Sequence, residues 1–335
     1  MKYAENICDL IGNTPMVRLT KTVADLKPII LAKLEFLNPS GSIKDRMAYY
    51  IITHGEKHGL LKPNDVIVDN TSGNTGSSGA MVAAAKGYRS LFTTPEKTSK
   101  EKRDLIKSFG AEIVVTPSDV PHDDPSSFYM QAKTLGSRPG HFYMDQYDSQ
   151  VNVEGHYMTT GPEIWRDTDG RVTHFVCGIG TGGTISGASK FLKEKNPNIV
   201  TIGVDPKGSL FAAYMNSEPI PNPRPYKVEG IGTDVITKAF LKEYVDDVVQ
   251  VDDRDAFRMA RELCRSEGIS AGGSSGAVLW AIRQCCGNLS ENDVVVTILA
   301  DGGIRYLSKM YNDEWMKEHG MLSDVGESEK IEEVR

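Results

Sequence analysis

Cysteine is sparse in this 335-residue chain. The five cysteines, Cys8, Cys177, Cys264 and the adjacent Cys285 and Cys286, form no C-x-x-C pair, which argues against a zinc site or a thioredoxin-like motif. An odd, scattered set suits a reducing compartment better than a disulfide framework. The sequence also lacks any run of about 18 apolar residues that could span a membrane, and Met1–Asn6 lacks the apolar core of a signal peptide. Basic blocks are missing as well. With a formal net charge of −7, the chain offers no nucleic-acid surface. The hydrophobic fraction of 39% and charged fraction of 25% are those of a globular protein. Together these absences predict a cytoplasmic, soluble protein that binds neither metal, membrane nor nucleic acid.

What is present is alternation. Strand-like Asp65–Asp69 is followed by a polar turn and an Ala-rich helix over Gly79–Lys86, with Gly87 at its C′ position. Strand Ser90–Thr94, a charged helix through Lys100–Ile106 and strand Ala111–Thr116 follow. The pattern recurs as strand Thr173–Cys177, a Gly-rich turn, helix Ser186–Lys195 and strand Ile199–Val204. Repeated β-α-β units imply parallel sheets covered on both faces by helices and joined by right-handed crossovers. Two such runs predict two α/β domains, with ligands bound beyond the carboxyl ends of the strands, where the Gly-rich turns fall. Residues 117–127, rich in Pro, Asp and Ser, read as a surface loop, and the polar tail after Leu322 reads as disordered.

Four segments carry chemistry. Asn38–Arg46 places Lys44 after a Ser/Gly-rich turn that follows the apolar run Ile29–Leu34. A lysine held there can act as a Schiff-base nucleophile if burial or a neighbouring cation lowers its pKa, although taken alone it also fits a solvated helix start. The segment Gly178–Thr184 follows a strand and opens a helix, so its free N–H groups and the helix dipole suit a phosphate, helped by the hydroxyls of Thr181 and Thr184. Thr71–Gly76, a polar turn between strand and helix, could hold a carboxylate or simply cap the helix. Gly272–Gly276 is the third such turn.

Gly178, Gly180 and Gly183 also satisfy G-x-G-x-x-G, and Asp205 ends the next strand where a dinucleotide fold places its ribose-binding acid. A nicotinamide-dependent oxidoreductase is therefore the competing reading. It has no use for Lys44. A reactive lysine, a phosphate cup, a ring partner and a carboxylate clamp together describe a pyridoxal 5′-phosphate site.

With these motifs in order, from Ile11–Pro15 to Trp315, the chain resembles the β-replacement family of pyridoxal-phosphate enzymes. That family has the tryptophan-synthase-β-like fold and includes cysteine synthase and cystathionine β-synthase. The resemblance implies two three-layer αβα domains with twisted, mostly parallel sheets. Residues 1–35 and 146–322 would form a large phosphate-binding domain, and residues 36–145 a small mobile domain that closes over substrate. It implies that Lys44, in S-I-K-D-R, carries the Schiff base, and that Thr71, Ser72, Asn74 and Thr75 bind the substrate carboxylate. Asn74 would also meet the cofactor's ring hydroxyl. Gly180, Thr181, Gly182, Gly183 and Thr184 would cup the phosphate, and Ser274 would face the pyridine nitrogen. Gln146, Tyr147 and Gly230 would line the substrate side.

Pro95–Lys97, Gly110–Val114, Asp145–Tyr147, Gly203–Pro206, Val228–Asp234 and Asn312–Met316 are similar to the cystathionine β-synthase branch more than to cysteine synthase. The implied reaction is β-replacement on L-serine or an O-activated serine through an α-aminoacrylate. Lys44 would serve as proton carrier and a thiol would add to Cβ. Homocysteine would give cystathionine; sulfide would give cysteine. Asn152–Val153, Thr233 and Ile236–Thr237 depart from the family pattern and are placed by it near the second-substrate pocket. The length leaves no room for the haem-binding extension or regulatory tandem of some relatives, so neither haem nor that regulation is expected. A homodimer is expected from the resemblance alone.

Overall fold

A computed structural model of the chain describes Met1 and residues 3–322. The tail expected to be disordered lies outside the described residues. Among the described residues ten strands are formed: β1 (Met16–Leu19), β2 (Ile29–Leu34), β3 (Val66–Asn70), β4 (Arg89–Pro95), β5 (Glu112–Thr116), β6 (His141–Tyr143), β7 (His174–Gly178), β8 (Val200–Pro206), β9 (Asp247–Val251) and β10 (Val294–Leu299). Between them run α1 (Lys44–Lys57), α2 (Asn74–Lys86), α3 (Lys100–Ser108), α4 (Phe128–Gly136), α5 (Gln150–Met158), α6 (Thr160–Asp167), α7 (Gly183–Lys195), α8 (Phe211–Met215), α9 (Asp253–Glu267), α10 (Gly273–Cys285) and α11 (Asp313–Glu318).

The strands make two sheets. One has the order β1-β2-β10-β7-β8-β9 and is parallel except for β1, which pairs antiparallel with β2. The other, β5-β4-β3-β6, is parallel throughout. Central strands are apolar on both faces because helices cover both. All six residues of β10, Val-Val-Val-Thr-Ile-Leu, are buried. Val295 and Leu299 pack in the core beside α9 and α10, while Val294, Val296 and Ile298 enter the opposite core with Ile185, Ala188 and Leu192 of α7. That split is the period-2 alternation of a strand. In the second sheet Ile67 joins a core with Met47, Ile51 and Ile52 of α1 and Ala80 and Val82 of α2, while Val66 and Val68 pack with Ala132 and Leu135 of α4.

Gly87 closes α2 in the left-handed conformation, φ +79°, as its sequence position predicts. The helices after the polar turns start earlier than the sequence suggests: α2 at Asn74, α7 at Gly183 and α10 at Gly273. Glycine is a poor helix former, which hides these first turns from a pattern reading. It is present here for packing: a Cβ on Gly76 would lie 2.6 Å from Ile106 Cδ1, and one on Gly79 would lie 2.8 Å from Phe92 Cζ. As a result the polar segments are themselves helix N-termini.

Candidate active site

Lys44 is the first residue of α1, and the turn before it is tied down on several sides. Ile43 N–H donates to the Ala300 carbonyl at 2.8 Å, Ser42 forms a bridge with Asp301, and Arg305 Nη2 donates to the Ser40 carbonyl at 2.5 Å. Asp45 takes the Ser40 N–H at 2.7 Å and the hydroxyls of Ser40 and Ser78. Burial lowers the pKa of the Lys44 amine, with the Cys177 thiol and the Asp301 carboxylate pulling the other way. The protein around it favours the uncharged, nucleophilic form.

Two residues on, Arg46 anchors a buried charge network that sequence reasoning missed. Its guanidinium donates to both carboxylate oxygens of Glu35, at 2.7 and 2.8 Å, and to both of Glu163, at 2.7 Å each. Lys33, fully buried within β2, adds an ion pair to Glu163 at 2.8 Å and a bond to the Thr14 carbonyl at 2.9 Å. Burial alone would raise the Glu163 carboxyl, but Arg46 and Lys33 outweigh it and bring it down to about 2. A buried lysine in a strand followed by an E-F-L turn was the signal available in the sequence.

The loop from β7 to α7 forms a cup. Gly182 has φ +89°, and a Cβ on it would lie 2.6 Å from Phe240 Cα; one on Gly180 would lie 2.6 Å from the Gly230 carbonyl oxygen, and one on Gly183 would collide with the Asn152 amide. Only glycines fit. Asn152 Nδ2 donates to Thr181 Oγ1 at 3.0 Å, and Thr237 Oγ1 donates to the Thr181 carbonyl at 2.7 Å. Asn152 and Thr237, positions placed by resemblance near the second-substrate pocket, thus also brace the cup. Thr184 Oγ1 lies 3.1 Å from His156 Nε2, whose other ring nitrogen lies 2.8 Å from Thr160 Oγ1. Burial, then the cations Lys44 and Arg46, hold His156 well below the usual histidine range, so it stays neutral.

A cavity partly open to solvent is bounded by Lys44, Cys177, Gly180, Thr181, Gly182, Thr184, Gly230 and Ser274 among others. Gly230 (φ +88°) leaves its open side toward Ser274, whose Oγ is 4.0 Å from where a Cβ would stand. Gly183, the first residue of α7, does not line this wall. Thr71, Ser72, Asn74, Thr75, Gln146 and Tyr147 also lie outside the wall, along the loop that opens α2 and the segment after β6. Thr71 Oγ1 accepts the N–H groups of Gly73 and Gly76 at 2.9 and 3.0 Å, while Thr75 Oγ1 donates to Gln146 Oε1 at 2.6 Å. Ser72 is exposed. Tyr147 is half-buried with its ring edge-on to Tyr129, and burial pushes its phenol up to about 12. Asn74 Nδ2 donates to Asp301 Oδ2 at 2.7 Å. Beside Gly73 and Gly230, Lys102 pairs with Glu229, which also takes Lys309 Nζ at 2.6 Å.

Asp205 is fully buried and accepts the Ala212 N–H at 3.2 Å at the start of α8. Its Oδ1 is buried without a partner, so neither oxygen is open to a ribose at the surface. Among the described residues no group of three or more His, Cys, Asp or Glu could hold a metal ion, and no helix is long and apolar enough to cross a membrane.

The family described as "Pyridoxal-phosphate dependent enzyme" matches residues 7–301. The chain belongs to that family. It is 40% identical over 320 residues to a cystathionine β-synthase of Dictyostelium discoideum, covering 95% of this chain and 64% of that protein. It is 41% identical over 333 residues to a cystathionine β-synthase of Saccharomyces cerevisiae, covering 95% and 65%. A cysteine synthase of Staphylococcus aureus strain Mu50 is 40% identical over 308 residues, covering 92% and 96%. The chain thus spans slightly under two-thirds of the length of the cystathionine β-synthases it matches. The residues fit pyridoxal phosphate: a cup that admits only glycine, an amine favoured in its neutral form, and a neutral hydroxyl at Ser274 in one cavity. The nicotinamide reading falls with the family match and with the buried Asp205.

Proposed function

We propose that this chain catalyses β-replacement on L-serine or an O-activated serine, with homocysteine as the acceptor and cystathionine as the product. The observation that carries it is the meeting of Lys44, the Gly180–Thr184 cup and Ser274 in one cavity. Pyridoxal phosphate, bound there, supplies the electron sink that makes the α-proton of an amino acid removable. The chain's own residues do the rest. Lys44 would hold the cofactor covalently, and its free amine would take the α-proton and return a proton to a departing hydroxyl. The cup and the neutral His156 behind Thr184 hold the phosphate end. The N-terminus of α2, with Thr71, Ser72, Asn74 and Thr75, takes the substrate carboxylate, and Gln146 orients Thr75. Ser274 presents a neutral hydroxyl to the ring nitrogen, which favours loss of the β-substituent over transamination.

Residues 36–145 close over the substrate as a small domain on residues 1–35 and 146–322, expelling water. Two copies associate as a homodimer; the exposed Leu37, Ile304 and Leu307 near the Lys44 turn supply apolar surface for it. The five free thiols fit a reducing cytoplasm and a place in transsulfuration. A cysteine synthase activity, O-acetylserine with sulfide, is the second reading, supported by a relative matched over nearly its whole length.

Steady-state turnover of serine and O-acetylserine, each with homocysteine and with sulfide, decides between them. Fastest turnover with serine and homocysteine supports the first reading, and turnover confined to O-acetylserine and sulfide overturns it. Ser274→Asp should lower β-replacement at least tenfold; unchanged turnover would remove Ser274 from its assigned place.

A further inference from the structure

Asp301, two residues beyond β10, is 1% exposed and touches the segments that carry Lys44, Asn74 and Ser274. Ser42, just before Lys44, bridges to it. Asn74 Nδ2 donates to its Oδ2 at 2.7 Å. Gly272 N–H donates to its carbonyl at 3.0 Å, and a Cβ on Gly272 would collide with Asp301 Oδ1. Tyr306, itself buried, donates its hydroxyl to the same Oδ2 at 2.7 Å. Oδ1 is buried with no partner, and so is the amide oxygen of Asn74.

Such an arrangement is a poor way to stabilise a fold. A buried carboxylate is costly unless both oxygens are paired, and here two neutral donors share one oxygen while the other stands bare. A carboxylate can only accept, so the Asn74 amide must turn its nitrogen toward Asp301 and leave its oxygen free. The carboxylate is also a favourable charge for the Lys44 amine.

We propose that Asp301 is a positioning residue: it fixes which way the Asn74 amide faces. The inference rests on the cavity being a pyridoxal-phosphate site. The Asn74–Asp301 bond also joins α2, which packs on the four-stranded sheet, to the end of the central strand of the other sheet.

A readout other than turnover tests it. Apo protein is titrated with pyridoxal phosphate in the wild type, Asp301→Ala, Asn74→Ala and the double variant, following the visible band. Asp301→Ala should weaken binding roughly tenfold, the scale of one hydrogen bond to a charged group. Because Asp301 acts through Asn74, the double variant should be no weaker than Asn74→Ala alone, within about twofold. Losses that multiply, or an Asp301→Ala that binds as the wild type does, would overturn the proposal.

Thermal unfolding checks each variant's fold. Should the Asp301 variants fail to fold, Tyr306→Phe, which removes one donor from Oδ2, should still shift the band or the affinity about threefold, and no shift counts against Asp301. A wild type that develops no band sinks the cofactor reading itself, and the proposal falls with it.

Discussion

Two clusters of charge tie the helices of the four-stranded sheet to the six-stranded half, and they are built differently. Behind Lys44, Lys33, Glu35, Arg46 and Glu163 make two cations against two anions, nearly free of solvent, each held by further hydrogen bonds. Beside Gly73 and Gly230, Lys102 and Lys309 share Glu229, whose side chain is 26% exposed. The first cluster cannot part without stranding charge in the interior, which costs several kcal/mol per ion. The second reaches solvent through Glu229 and Lys309, 26% and 31% exposed, although Lys102 is 6% exposed, so parting it strands less charge. The buried cluster therefore suits a fixed connection that aims α1 and Lys44 into the cavity. The one that reaches solvent is the looser connection.

The sharpest way to break this contrast is Arg46→Met, which leaves Glu35 and Glu163 buried without their cation. It should cost about 3–5 kcal/mol in denaturant unfolding; a loss below about 1 kcal/mol would mean that the cluster does not fix α1. A middle-sized effect is expected from pH. His156 is held neutral, so its contribution is present above the ordinary histidine value near 6.5 and is lost as pH falls below it. The depressed Glu163 contributes above about 4.5, and that share is lost as pH falls toward about 2. Thermal unfolding should thus weaken in two stages on acidification, and His156→Asn should remove the first stage only. The smallest effect belongs to Lys102→Ala. Lys309 still pairs with Glu229, so stability should change by no more than about 1 kcal/mol, and added salt should narrow the difference from the wild type. A loss as large as that of Arg46→Met would erase the distinction between the clusters.

Much of this architecture was legible in the sequence because it rests on local rules. Short apolar runs gave the strands, and glycine next to a strand end gave the loop at Gly180–Gly183. The segment around Lys44 suggested a reactive amine, and the resemblance supplied its role. What escaped depends on contacts far apart in the chain. Asp301 reads as a residue in a D-G-G turn, and only its bond to Asn74, 227 positions away, shows that it reaches the loop that opens α2. Arg46 and Glu163 are 117 positions apart. Asn152 and Thr237 also bond Thr181, a contact that their sequence positions do not announce. A single sequence carries spacing along the chain; it carries no sign of which buried charges meet.

Lys44 as the proposed covalent anchor is tested most directly by adding pyridoxal phosphate to the purified protein, reducing with borohydride, digesting, and locating the added mass. A single phosphopyridoxyl group is expected on the peptide that carries Lys44, with the visible band bleached in step. A label spread over several lysines, fixed on another one, or absent would contradict it.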